Sequence, residues 1–278
     1  MIETEGNPGF SVLMSVYAKE KAEFLRESME SGWGQTVPSD DFVLVCDGPL
    51  GDELNQVIRQ MQERFGSVLR VVRLEKNVGL GNALNEGLRH CKHELVARMD
   101  SDDVCFADRF ERQLQVFGKH PEFSIVSGTV AEFTESPQAP TGKRELPVTH
   151  EAICAFSKKR NPFNHPAVMF RKTSVEEAGC YSEVYPLFED YYLWVRMLRN
   201  GSVGYNLKEP VLWMRTPSDL YVRRGGKKYA GDMLRFHRWL REVKWSGKMD
   251  YWCGAVPHAL VCVMPNGMRK IVYKLLRK

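Results

Sequence analysis

The chain has 278 residues, 43% of them hydrophobic and 27% charged, which is enough for one large domain or two small ones and excludes a disordered or fibrous protein. Seven cysteines, at positions 46, 91, 105, 154, 180, 253 and 262, form no C-x-x-C pair and are odd in number. They fit neither a disulfide framework nor a zinc site, so reduced thiols in a cytoplasmic compartment are expected. The opening "MIETEGNPGF" has no basic n-region and no apolar h-region, so no signal peptide is expected.

Net charge is only +4, but it is unevenly spread. From Tyr221 to Lys278 there are 14 Lys/Arg against 3 Asp/Glu, a balance of +11, which leaves −7 on residues 1–220. A basic appendage on an acidic body is the reading. Its longest apolar run, "CGAVPHALVCVMP" (253–265), is broken by proline and histidine and is short of the ~20 residues that span a bilayer. Such a segment can lie on a membrane without crossing it.

In chain order, "FSVLMSVY" (10–17), "DFVLVCDG" (41–48), "LRVVRLE" (69–75) and "ELVARMD" (94–100) are apolar runs of strand length. Between them, Leu50, Leu54, Val57, Ile58, Met61 and Phe65, then Leu80, Ala83, Leu84, Leu88 and Cys91, recur at helical spacing. Strands alternating with helices predict an α/β fold with a doubly wound, mainly parallel sheet flanked by helices. A helix follows with Phe106, Phe110, Leu114 and Phe117 on one stripe, then a strand over 123–133. The Pro- and Gly-rich "TESPQAPTGKRELP" (134–147) reads as a loop, "NHPAVMFR" (164–171) as a strand, and "LFEDYYLWVRMLRNG" (187–201) as a helix stopped at Asn-Gly. From Asp219 the chain becomes helical and basic.

In such a sheet, ligands bind beyond the carboxyl ends of the strands. Ser15 and Tyr17 close the first strand, Asp47 and Gly48 the second, Lys76 and Asn77 follow the third, and Asp100 to Asp103 follow the fourth. These polar endings should gather on one edge. "MDSDD" places Asp100 and Asp102 at i and i+2, where two hard oxygen ligands can hold magnesium or manganese; alone, the string is equally a solvated acidic turn. Asp47 reads either as a base or ribose contact or as an Asx turn. "NVGLGNALNEG" (77–87) carries Gly79 and Gly81 before a helix without a full phosphate-loop spacing.

At the start of the helix around 190, Asp190 shares a face with Leu193, Trp194 and Met197, whereas Glu189 aligns with Arg196. Asp190 is therefore the more inward carboxylate, and burial would raise its pKa as a general base requires. An acidic first turn complementing the helix dipole is the plainer alternative. His165, held extended by Pro166, is a candidate for the substrate side or simply structural.

Taken in order, "SVLMSVY", "VCDGP", "EKNVGLGNALNEG", "ARMDSDD", "NPFNHPAVMFR" and "FEDYYLWVRM" resemble the family 2 inverting glycosyltransferases of the GT-A fold, particularly those of bacterial polysaccharide assembly, over roughly residues 10–215. The resemblance implies a UDP-sugar donor, with Ser15, Tyr17 and Asp47 at the uridine and Lys76, Asn77, Gly79, Arg98 and Asp100 in nucleotide binding. It further implies a divalent metal, manganese or magnesium, on Asp100 and Asp102, with Asp190 as base and His165 and Glu189 on the acceptor side. Many relatives carry arginine before the asparagine matching Asn85; this chain has Leu84, leaving Lys76 and Arg98 as substitutes.

UDP-galactose is the favoured donor, with UDP-glucose and N-acetylhexosamines open, and a polyprenyl-diphosphate-linked saccharide is the implied acceptor. Residues 1–218 would form the GT-A domain. Residues 219–278 would form a basic helical tail, with "MPNGMRKIVYKLLRK" (264–278) either lying on an anionic membrane at the inner face of the cell membrane or packed on the chain's own acidic body. A sugar-nucleotide nucleotidyltransferase and a silent nucleotide-binding module are the alternatives. Nucleic acid is not an expected partner, because the basic tail lacks a reading motif.

Overall fold

Four apolar runs form the central strands of the computed structural model, which describes residues 8–216, 225–265, 267–269 and 272. They are β1 (Phe10–Val16), β2 (Asp41–Cys46), β3 (Leu69–Arg73) and β4 (Leu95–Asp100). Helices α1 (Ala22–Trp33), α2 (Asp52–Phe65) and α3 (Leu80–His90) connect them, and the order β3-β2-β1-β4 is parallel throughout. Side chains alternate along each strand, so Val12, Met14, Phe42, Leu44 and Ala97 enter one core with α1 and α2. Leu13, Val43, Val45 and Val96 enter a second core, on the other face, with Ala83, Leu84 and Leu88 of α3.

Beyond β4 the sheet changes direction. The two-residue β5 (Val104–Cys105), helix α4 (Arg109–Lys119) and β6 (Phe123–Phe133) come next, then a strand absent from the sequence expectation, β7 (Pro140–Arg144). It pairs antiparallel with β6, so the expected loop over 134–147 is in part a hairpin. Its Pro and Gly mark an edge strand, where a missing N–H or side chain is tolerated. The expected strand over 164–171 is also shorter. A single turn, His165–Ala167, carries Pro166, and only β8 (Met169–Arg171) pairs with the sheet, antiparallel to β4 and β6.

Helices α5 (His150–Phe156) and α6 (Lys172–Glu177) flank these strands. Next come α7 (Glu189–Arg199) and the long β9 (Val203–Arg215), which runs parallel to β6 and antiparallel to β5. Among the described residues the nine strands fall in the order β3-β2-β1-β4-β8-β6-β9-β5, with β7 on β6.

After residue 224 the chain forms α8 (Lys227–Glu242), short turns over Lys248–Asp250 and Tyr251–Ala255, and α9 (Val256–Val263). Ala230, Met233, Phe236 and Leu240 of α8 make a third apolar cluster with Ala259 and Cys262 of α9 and with Tyr185, Phe188, Tyr191 and Val195. One side of α7 therefore belongs to the sheet's second core and the other to the C-terminal helices. Most of the expected membrane segment 264–278, and Asp219 where the basic region was read to begin, lie outside the described residues. No helix among the described residues is long and apolar enough to cross a membrane, and the seven cysteines are free thiols.

Candidate active site

Register gathers the polar strand ends on one edge. Ser15 pairs with Asp100 across β1 and β4 and with Val45 across β1 and β2, and the Asp47 amide donates to Val16 O at 2.8 Å. Parity then selects the face. Val96 lies in the second core, so Arg98 and Asp100, two and four residues on, point to the side that α7 covers.

Arg98 is almost fully buried, and its Nη2 donates to Asp100 Oδ1. Its Nε and Nη1 have no hydrogen-bond partner among the described residues. Its positive charge also reaches Glu189, Asp190, Asp103, His165 and Tyr181. One guanidinium thus faces the acidic turn and the α7 carboxylates together.

Asp100, Asp102 and Asp103 bring one carboxylate oxygen each to within 4.8 Å of one another. Burial, then the Asp100 and Glu20 carboxylates, push Asp102 up to about 7. Burial first, then Asp102 and Asp100, hold Asp103 well above the usual carboxylate range. Asp103 is buried, with Oδ1 accepting from the Arg215 amide at 2.7 Å and Oδ2 without a partner among the described residues. Arg215 also donates from Nε to Asp102 O at 3.0 Å and from Nη2 to Glu27 Oε2 at 2.6 Å, so the end of β9 braces the turn. Three crowded oxygens with an orphaned buried lone pair have the donor set that a hard divalent cation requires. The residues present fit a magnesium or manganese ion.

Sequence reasoning named Asp100 and Asp102 as ligands and passed over Asp103. The signal was visible, since the three acids stand in one string. Arg215 gave no signal, being 112 positions from Asp103.

Asp190 opens α7. Its Oδ2 accepts from Asn161 Nδ2 and its Oδ1 from the Tyr191 amide, both at 2.6 Å. Burial raises its pKa, against the lowering by the Tyr191 N–H, the Asn161 amide, Arg144 and Arg98. Glu189 is raised too, by burial first and Asp190 second. Both carboxylates are half-buried.

His165 Nε2 lies 2.9 Å from the Tyr181 hydroxyl, with the Trp194 ring edge-on to both. Burial and Arg98 hold its pKa well below the usual value, so the imidazole is neutral. Tyr181 and Asn161 also belong to the site and were not singled out in the sequence, because each is spaced like any loop residue.

Asp47 makes a long-range tie in place of the local Asx turn that was the plainer expectation. Oδ2 accepts from Asn77 Nδ2 at 2.9 Å and Oδ1 from the Val78 amide at 2.7 Å, tying the β2 end to the loop before α3. Gly48 makes this approach possible: its φ is +88°, and a Cβ there would come within 2.6 Å of the Asn77 amide nitrogen. Gly79 precedes α3 at φ +86°. Lys76 is exposed on the same loop, and Tyr17 is 43% exposed just beyond β1. Leu84 is fully buried in the second core. A cleft of about 390 Å³ opens between the loops after β1 and β2, lined by Ala18, Glu20, Gly51, Asp52 and Leu54 among others. Glu20 links it to the acidic turn by accepting from Ser101 Oγ at 2.7 Å.

Comparison with known proteins agrees with this geometry. The model of glycosyl transferase family 2 matches residues 11–179. A UDP-Gal:alpha-D-GlcNAc-diphosphoundecaprenol beta-1,3-galactosyltransferase of Escherichia coli is 36% identical over 271 residues, covering 98% of this chain and 97% of its own. The amylovoran biosynthesis glycosyltransferase AmsE of Erwinia amylovora is 37% identical over 269 residues, 97% of this chain and 99% of that one. Among solved structures, the mannosyltransferase PcManGT from Pyrobaculum calidifontis, in complex with GDP-Man and Mn2+, has a TM-score of 0.65 at 18% identity, over 97% of this chain and 80% of that one. S. aureus TarS 1-349 has a TM-score of 0.57 at 19% identity, over 81% of this chain and 65% of that one. These structures share the GT-A fold expected from the sequence, and the chain belongs to glycosyl transferase family 2.

Proposed function

We propose that this glycosyltransferase moves a hexose, galactose in first place, from its UDP-sugar to a hydroxyl of a lipid-diphosphate-linked saccharide in bacterial surface polysaccharide assembly, with inversion at the anomeric carbon. The observation that carries this reading is the nearly end-to-end likeness to the Escherichia coli galactosyltransferase, whose name states that donor and an undecaprenol-linked acceptor. The pairing of an acidic turn with a pKa-raised carboxylate across one edge supports the reaction class.

Asp190 is the proposed base. It takes the proton from the acceptor hydroxyl as that oxygen attacks, and the Asn161 amide and Tyr191 N–H fix the carboxylate's direction while its raised pKa strengthens it as an acceptor. His165, neutral and tied to Tyr181, offers a hydrogen bond on the same side without adding charge. Asp100 and Asp102, with Asp103 beside them, would hold a divalent cation, which supplies neutralisation of charge on the departing diphosphate. Arg98 keeps Asp100 in place beneath it.

Calorimetric titration with UDP, with and without manganese and repeated on Asp102→Ala, tests the nucleotide site. Metal-dependent binding lost in the variant is expected; no UDP binding in either condition would overturn the reading. Transfer assays with labelled UDP-galactose, UDP-glucose and UDP-N-acetylglucosamine on a GlcNAc-diphospho-lipid acceptor then rank the donors.

A further inference from the structure

Nine large hydrophobic side chains are exposed among the described residues, and five of them lie within twenty positions: Met249, Trp252, Leu260, Val263 and Met268. Trp252 is 62% and Leu260 59% exposed. Ala255, Ala259 and Cys262 are buried, the last two in the third cluster, while Trp252, Val256, Leu260 and Val263 recur at nearly helical spacing on a neighbouring stripe. Helix α9, "VPHALVCV", contains no Asp, Glu, Lys or Arg although three of its eight residues are exposed. An apolar stripe of this kind marks an interaction surface.

Charge identifies the occupant. Exposed Lys244 and Lys248 stand just before the stripe, and residues 221–278 carry the balance of +11 while the rest of the chain carries −7. A second copy of the chain would set one basic surface against another. An anionic bilayer offers apolar depth and negative charge together, and a tryptophan at the rim suits its headgroup layer.

We propose that the helical turn-and-helix Lys248–Val263 docks on an anionic lipid surface, with Trp252, Leu260 and Val263 entering the headgroup layer and Lys244 and Lys248 meeting lipid phosphates. The sequence reading put this contact in 264–278, most of which lies outside the described residues, and read 253–265 as able to lie on a membrane; the proposal here rests on the exposed side chains of α9 and the turn before it. The same helix packs on α8 and, with it, on α7, so docking would set Asp190 at a fixed height above the bilayer. This inference deepens the proposed function by naming its surface, yet it rests on the stripe and the charge and does not require a particular donor.

The test is co-sedimentation of the full chain with vesicles of phosphatidylglycerol and phosphatidylcholine or of phosphatidylcholine alone, beside the triple variant Trp252→Ser, Leu260→Ser, Val263→Ser. Wild type should bind the anionic vesicles, weaken in high salt, and bind roughly tenfold better than the variant, while both bind UDP equally. Charge reversal with Lys244→Glu and Lys248→Glu gives a second variant that leaves the apolar stripe intact, and it should also release the vesicles. Equal binding by wild type and both variants would overturn the proposal, as would no binding by wild type. A wild-type dimer that the triple variant dissociates, without vesicle binding, would assign the stripe to a second copy instead. Vesicle binding that persists where UDP binding fails would remove the transferase reading and leave this surface standing.

Discussion

Asp103 Oδ1 accepts a hydrogen bond from the backbone amide of Arg215 at 2.7 Å, joining the acidic turn after β4 to the last residue of β9. The carboxylate is buried, and its second oxygen has no partner among the described residues. Asp103 therefore has two separable duties. Asp103→Ala strands the Arg215 amide and should cost about 1–3 kcal/mol in urea unfolding. Asp103→Asn keeps an acceptor for that amide and removes a disfavoured buried charge, so its stability should equal or exceed wild type while manganese-dependent UDP affinity falls. Loss of stability in both variants, with metal affinity intact, would deny the second duty.

The pH profile of transfer should carry the mark of Asp190. Its folded pKa is raised by burial, so the base is protonated at pH values where an ordinary aspartate is already ionised. The acid limb of kcat/KM is expected above the normal carboxylate range. For stability the sign is opposite: an acid with a raised folded pKa favours the native state least once pH has risen through that pKa. Asp190→Asn should abolish transfer yet leave Tm at neutral pH unchanged or higher, as a thermal melt beside an activity assay would record.

Arg98 answers a different question, namely what balances the acidic turn before a metal arrives. Arg98→Met removes the buried positive partner of Asp100. Because Asp100 is partly exposed, the cost in unfolding should be about 1–3 kcal/mol, less than for a fully buried pair. Manganese binding in the absence of nucleotide should tighten by at least roughly tenfold, since one competing positive charge has gone. Weaker manganese binding would mean that Arg98 mainly shapes Asp100 and does not compete with the ion.

Thiol reactivity follows burial. Burial pushes Cys46 up to about 11, with Arg73 opposing, and Cys91 up to about 12, with Asp41 adding to the effect. Neither should react with a disulfide reagent in the native protein. Cys253 is exposed and should account for the fast phase, which Cys253→Ser would remove.

The sheet's parallel half was legible because each strand is a run of apolar residues ended by a polar one, and the register needed to align Ser15 with Asp100 follows from the connecting helices. The acidic turn, Asp190 and His165 were legible from their residue types and motif order. β9 was not, since "VGYNLKEPVLWMR" interrupts its apolar run with Lys208, Glu209 and Pro210, which fall at a register shift against β6. β7 was hidden in a Pro- and Gly-rich stretch that pairs only at the sheet's margin. Long-range braces such as Arg215, and neighbours such as Asn161 and Tyr181, leave no local trace, because their roles depend on which strand end the chain returns to. The exposed stripe on α9 was not legible either, because periodicity shows that a helix is apolar but not which side the rest of the protein leaves uncovered.

The reversed polarity of β8 decides which part of its segment reaches the chemistry. Running antiparallel to β4, it delivers the residues before it, Asn161 to His165, to the edge where β4 ends, and sends Lys172 back to Glu94 at the strand's beginning. Insertions or exchanges in the stretch leading into β8 would thus reshape the wall that an incoming sugar meets, whereas equal changes in α6 would be felt only at the opposite rim. A single strand direction divides this part of the chain into a portion at the candidate site and a portion at the opposite rim.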